Sequence, residues 1–166
     1  IGTAGSAEKA GFAVSAGCSD VILYGEEGMA GRVREITGGA GVPVVYDSVG
    51  AATFEASLAS LSRRGLLVSF GNASGPVPPV APLRLSQGGS LYLTRPTLGD
   101  YIDTEAELDA SAAALFDVVE RGDVAVHIGA RFPLEAAREA HETLERRGTW
   151  GSSILVPEGS KASPGS

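Results

Sequence analysis

Short apolar runs begin near Ile1, Val21, Val42, Leu66 and Leu91, at nearly even intervals, with helix-like segments between them. Parallel neighbouring strands need a crossover, and a helix is the usual one. The alternation therefore predicts an α/β chain, a doubly wound parallel sheet with helices on both faces. Ser6 is placed to cap a helix that stops at Gly17, and residues 18–24 (CSDVILY) follow as a turn and a strand. Residues 26–37 carry alternating charge and fit a second helix, ended by Gly38 and Gly39. Residues 42–47 (VPVVYD) are apolar until the last, the pattern of a strand covered on both faces. Phe54, Leu58 and Leu61 lie on one face of a third helix that stops at Gly65, and residues 66–70 (LLVSF) read as another buried strand.

The punctuation then changes. Residues 71–82 (GNASGPVPPVAP) form a loop, too rich in Gly and Pro to continue either element. One more strand, SLYLTRP from Ser90 to Pro96, is halted by that proline. Thr104 with Glu107 three residues later is a capping box, opening a helix that runs to Gly122. Val124, Val126 and Ile128 alternate as a strand, Pro133 takes the first turn of a helix running to Gly148, and residues 154–156 make a last short strand. The organisation expected is a partial nucleotide-binding domain over 1–98, a helical segment and closing strand over 99–157, and a disordered tail over 158–166.

Composition narrows the function. Thirteen Lys+Arg against twenty Asp+Glu give a formal charge of -7, which repels phosphate backbones and anionic lipid at long range. Nucleic acid and membrane are therefore unexpected partners, and no run approaches the roughly 18 apolar residues of a membrane span. Cys18 is alone and the histidines are His127 and His141, so these residues cannot build a thiolate or imidazole zinc cage. The cysteine usage suits a reducing, cytoplasmic setting. The chain opens on a strand-like Ile without an initiator Met and reads as cut from something longer.

In an open parallel sheet, ligands bind at the carboxyl ends of the strands. Three such ends are polar: Ala4-Gly5-Ser6 with Lys9 one helical turn on, Asp47-Ser48-Val49-Gly50, and Ser69-Phe70-Gly71-Asn72. A dinucleotide fold that prefers an unphosphorylated ribose usually carries Asp or Glu at the end of its second strand. Here glycine and serine stand there, with a lysine beyond. Backbone N–H groups, a hydroxyl and an ammonium would suit a 2′-phosphate. The commoner reading of the same residues is a Ser6 helix cap and a solvated Lys9. Asp47 and Ser48 can each cap the next helix, and Asn72 suits either a turn or a polar wall against a ligand. His141 shares a helical face with Leu134, Ala137 and Leu144, which reads as packing. No G-x-G-x-x-G occurs; Gly39-Ala40-Gly41 precedes a strand and is a turn. No Ser/His/Asp set, carboxylate pair or metal spacing emerges.

The ordered strings IGTAGSAEKA, VILYGEE, REITGG, VVYDSVG, RRGLLVSFGNASGPV, GSLYLTRPTLGDYI and AHETLERRGTWGSSILVP carry a resemblance over nearly the whole chain. Together they resemble the zinc-independent NADPH:quinone oxidoreductases, the zeta-crystallin-like branch of the medium-chain dehydrogenase/reductase superfamily. The resemblance implies a Rossmann-type fold whose first βα unit is missing here, along with a GroES-like catalytic domain upstream. Carried over, Gly5, Lys9 and Tyr24 match the positions that hold the 2′-phosphate, which implies NADPH as cofactor. Ser48 matches a residue beside the nicotinamide half, Phe70, Gly71 and Asn72 match the loop passing over the nicotinamide, and Arg147 matches a late basic residue that reaches the cofactor. No catalytic side chain and no metal ligand is carried over.

The activity implied is hydride transfer from NADPH to a quinone or a similar conjugated carbonyl, with the cofactor carrying the chemistry. The SLYLTRP strand resembles the edge that pairs across the family's homodimer. In the order 3-2-1-4-5-6 the absent strand is central, so the chain alone is expected to be inactive. Gly11 and Phe12 depart from the alanine-like residues usual early in that helix, and Gly28 and Gly31 weaken the next by about 1 kcal/mol each against Ala. Two alternatives stay open: a non-catalytic NADPH-binding or partner-binding module, and an enoyl reductase of the same superfamily.

Overall fold

A computed structural model describes residues 1–23, 28–146 and 151–159. The chain divides into two compact units, Ile1–Asp109 and Ala110–Ser166. The first holds β1 (Gly2–Ala4), α1 (Ala7–Ser15), β2 (Val21–Leu23), α2 (Met29–Ile36), β3 (Val42–Asp47), α3 (Phe54–Ser60), β4 (Leu61–Ser69), α4 (Pro82–Gln87) and β5 (Tyr92–Thr94). A 3-10 turn at Leu98–Tyr101 leads to α5 (Glu105–Glu120), which continues into the second unit. There β6 (Ile128–Pro133), a 3-10 turn at Leu134–Ala136, α6 (Ala137–Glu145) and β7 (Ser152–Val156) form one parallel β-α-β unit.

All strand pairing is parallel, as the alternation predicts. Within the first unit the strands form two sheets, β1–β2 and β3–β4–β5. Set side by side, they match positions 3-2 and 4-5-6 of the doubly wound order. Among the described residues no strand pairs with the free edge of β1 or of β3. What joins the sheets is α2, which packs on α3 and touches β2. Arg34 fastens that packing. Its guanidinium donates to the carbonyls of Gly39, Ala59 and Leu61 at 2.9, 3.1 and 2.7 Å.

The core is a cluster of Phe54, Leu58, Leu61, Leu67 and Leu91 under one face of the three-stranded sheet, with Val45, Val77, Val80, Leu85 and Leu93 against it. The other face is open. Tyr46 and Tyr92 are 74% and 57% exposed, so β3 is covered on one side and not on both. A continuous apolar run cannot separate these cases, because Val and Tyr suit either environment.

Other expectations are corrected too. The third helix ends at Ser60, whose hydroxyl turns back to the Ala56 carbonyl, and Leu61 already starts β4. Gly65 is not the helix stop but part of an irregularity in β4. Register shifts from Val42↔Leu61 to Val44↔Leu66, and Arg64 takes a positive φ of 62°. A Cβ on Gly65 would lie 2.9 Å from the Ser62 carbonyl oxygen. Gly28 caps α2 instead of weakening its interior, and α2 starts at Met29. Helix α4 follows the Pro-rich loop, with Pro82 in its first turn. Val124 and Val126 are exposed and precede β6, which starts at Ile128. Pro133 closes β6. His141 is exposed rather than packed; Ala140 is the residue of α6 that is buried. The capping box forms as predicted, Thr104 and Glu107 exchanging hydrogen bonds in both directions. Residues 160–166 of the expected tail lie outside the described residues.

Candidate functional site

Parallel pairing puts the carboxyl ends of neighbouring strands side by side: Ala4 with Leu23, Asp47 with Ser69, Val68 with Thr94. At the end of β1, Gly5 and Ser6 are exposed and lead into α1. The Ser6 hydroxyl accepts from the Lys9 backbone N–H at 3.3 Å, so it serves as a helix cap. The Lys9 side chain is exposed, with no ion pair from its ammonium among the described residues. No carboxylate stands at residues 2–7 to accept from a ribose diol. The helix start and the Lys9 ammonium are donors that a phosphate can use, with the exposed Glu8 carboxylate beside them in the first turn of α1. Tyr24 lies outside the described residues, as does Arg147.

The second cluster is built around Asp47. Its side chain sits at the end of β3 and is 4% exposed. One carboxylate oxygen accepts from the backbone N–H groups of Val49 and Gly50 at 2.8 and 3.0 Å. Thr53 donates its hydroxyl to both oxygens, and Ser57 donates to the other at 2.7 Å. Burial opposes ionisation, but the bonds from Ser57, Gly50, Thr53 and Val49 outweigh it and hold the carboxyl below its ordinary value. Every donor comes from the turn or helix that follows, so Asp47 shapes the loop carrying Ser48, and with Thr53 and Ser57 it also lines the groove beside that loop. Its structural reading was one of the two left open by the sequence. Ser48 is exposed and does not cap.

The loop after β4 lies directly on the loop after β3. Asp47 accepts at its backbone carbonyl from the N–H groups of Phe70 and Gly71 at 2.9 and 3.3 Å. Ser48 accepts from Ala73, and Val49 from Ser74. A Cβ on Gly71 would lie 2.1 Å from the Ser48 carbonyl oxygen, and one on Gly50 (φ 91°) would lie 2.5 Å from that of Gly75. Glycine is what lets the loops touch. Ser48 and Gly71 thus meet through backbone, leaving the Phe70 ring half exposed and Asn72 exposed beside it. A groove lined by Thr3, Met29, Tyr46, Ser48 and Val49 borders both β1 and the loop after β3.

Sequence reasoning missed Arg95, which donates from β5's end to the carbonyls of Ser69 and Gly71 at 2.8 and 3.1 Å. Its only sequence signal was an arginine next to a strand-ending proline. Among the described residues no group of three or more His, Cys, Asp and Glu is placed to hold a metal ion. None of the described helices is long and apolar enough to cross a membrane.

A family model described as zinc-binding dehydrogenase matches residues 16–155. The chain belongs to the zinc-binding dehydrogenase family. It is 55% identical over 159 residues to a quinone oxidoreductase of Salmonella typhimurium, covering 95% of this chain and 49% of that protein. A 2-haloacrylate reductase of a Burkholderia species is 42% identical, with 95% and 48% covered. The crystal structure of the Escherichia coli quinone oxidoreductase, solved with NADPH, superposes with a TM-score of 0.88 at 51% identity, over 95% of this chain and 49% of that one. The chain spans about half the length of the curated relatives it matches. Zinc-binding dehydrogenase membership and the Rossmann-type fold agree with the resemblance carried by the ordered strings.

Proposed function

We propose that this chain is the cofactor-binding part of an NADPH-dependent quinone reductase, an enzyme that moves hydride from NADPH to a quinone or conjugated carbonyl. The observation that carries the reading is the end of β1, where residues 2–7 hold no carboxylate and the start of α1 presents the exposed Lys9 ammonium, with Glu8 beside it in the first turn. Relatives named as quinone oxidoreductases, and one solved with NADPH, support it. The relative that reduces 2-haloacrylate keeps the acceptor class wider than quinones.

In this reading Gly5, Lys9 and Tyr24 take the 2′-phosphate end. Ser48, Phe70, Gly71 and Asn72 border the nicotinamide end, and Arg147 reaches the cofactor late in the chain. Residues 1–98 supply the nucleotide fold and 99–157 pack with the catalytic body of the enzyme. NADPH, when bound, supplies the hydride. The chain's own part is to orient and shield: Lys9 selects by charge, and the glycine-joined loops hold the Phe70 ring in place. A quinone accepts hydride readily, so no dedicated acid–base pair is required of these residues. The proposal also includes a cytoplasmic setting and a homodimer formed through the strand from Ser90 to Pro96, whose outer edge has no strand partner among the described residues.

The test is titration with NADPH and NADH side by side, with Lys9→Ala as comparison. NADPH should bind tighter than NADH, and Lys9→Ala should lose about tenfold for NADPH alone, the worth of one charge-assisted contact. Equal binding of the two cofactors, or no change on Lys9→Ala, would overturn the reading.

A further inference from the structure

We propose that Arg95 is a positioning residue that sets the 69–72 loop for the nicotinamide end of the cofactor, an inference that rests on the NADPH reading above. In the order β3–β4–β5, the loop continues the middle strand. It is tied to both neighbours. From β3, the Asp47 carbonyl takes the N–H groups of Phe70 and Gly71. From β5, one guanidinium nitrogen of Arg95 gives to the carbonyls of Ser69 and Gly71 at 2.8 and 3.1 Å. Four backbone groups of three consecutive residues are thereby fixed from opposite sides.

On its β3 side the loop packs against Ser48, but toward β5 packing does not hold it. Beside the loop is an open cavity of about 410 Å³, lined by Asn72, Pro76, Val77, Val80, Leu93 and Arg95. A loop with empty space next to it can shift unless hydrogen bonds hold it. Gly71 adds nothing by side chain, so its placement depends on backbone partners alone. Pro96 disfavours a helical backbone at Arg95, which keeps the arginine extended at the strand's end. Without Arg95, two carbonyls lose their donor, and the segment bearing Phe70 and Asn72 is held only along its β3 side. The β1 end of the site shares none of these bonds.

That asymmetry defines the experiment. Affinities for NADPH and for 2′,5′-ADP, which carries the phosphate end without nicotinamide, are measured by calorimetry on the full chain and on Arg95→Ala and Arg95→Lys. Arg95→Ala should weaken NADPH about tenfold while 2′,5′-ADP stays within about twofold. Arg95→Lys, whose ammonium ends one bond earlier, should recover part of the loss. Thermal unfolding of each variant accompanies the titrations. An equal loss for both ligands would mean Arg95 merely supports the fold, and an unchanged NADPH affinity would mean the loop needs no such tie; either overturns the inference. If the parent chain bound 2′,5′-ADP no better than 5′-AMP, the NADPH reading itself would fall, and this inference with it.

Discussion

Replacing Asp47 with alanine should be among the most damaging single changes in the first unit. Its carboxylate answers four donors: the N–H groups of Val49 and Gly50 and the hydroxyls of Thr53 and Ser57. Ser57 is buried and so is Gly50, so truncation strands at least two donors away from water. Each unsatisfied buried donor costs about 1–3 kcal/mol, and a small cavity adds to that. We expect a loss of about 3–5 kcal/mol, a large share of the roughly 5–15 kcal/mol that holds a domain together. Asp47→Asn should lose less, because one oxygen remains to accept. Urea unfolding followed by circular dichroism gives both numbers, and a loss under about 1 kcal/mol for the alanine variant would refute the accounting. The ionisation adds a check. The carboxyl sits below its ordinary value of 3.8, so its contribution is present above that value and fades as pH falls through the lower folded-state value. The stability gap between the parent and Asp47→Asn should therefore narrow only below about pH 4.

Other outcomes follow from the same geometry. Gly71→Ala must push apart two loops that leave 2.1 Å for a Cβ, which should cost about 1–3 kcal/mol and weaken NADPH binding; a variant as stable as the parent would show that the loops separate freely. Arg34→Ala removes three carbonyl contacts, one to the turn after α2 at Gly39 and two that join α2 to the end of α3 at Ala59 and the start of β4 at Leu61. It should lower the urea midpoint by the equivalent of about 1–3 kcal/mol, with hydrogen exchange rising first in α2.

Most of the fold was legible because periodicity and capping are local. β3 begins and ends where its apolar run does, and Thr104 with Glu107 marked the start of α5 without ambiguity. What failed depended on partners distant in sequence. Leu61 has the spacing of a helix residue, yet pairing with Val42 draws it into β4. Tyr46 looks buried by composition and is exposed, because among the described residues no element covers that face of β3. His141 likewise has apolar neighbours on its helix, yet it and Leu134 and Leu144 are exposed. For the candidate site, the sequence located the strand ends, since topology alone determines them. It could not assign Asp47 to its four donors, nor reveal that Arg95 reaches back across β5 to the neighbouring loop, because side-chain reach is not written in spacing.

The uncovered face of the three-stranded sheet has a colloidal consequence. Tyr46 and Tyr92 present aromatic rings to solvent on a molecule whose net charge of -7 keeps copies apart. Like-charge repulsion between molecules weakens as the Debye length shrinks from about 10 Å at 0.1 M salt to about 3 Å at 1 M, while apolar attraction is unaffected or strengthened. Solubility of the isolated chain should thus be limited by ionic strength, with dilute buffers near neutral pH the setting in which it stays dispersed.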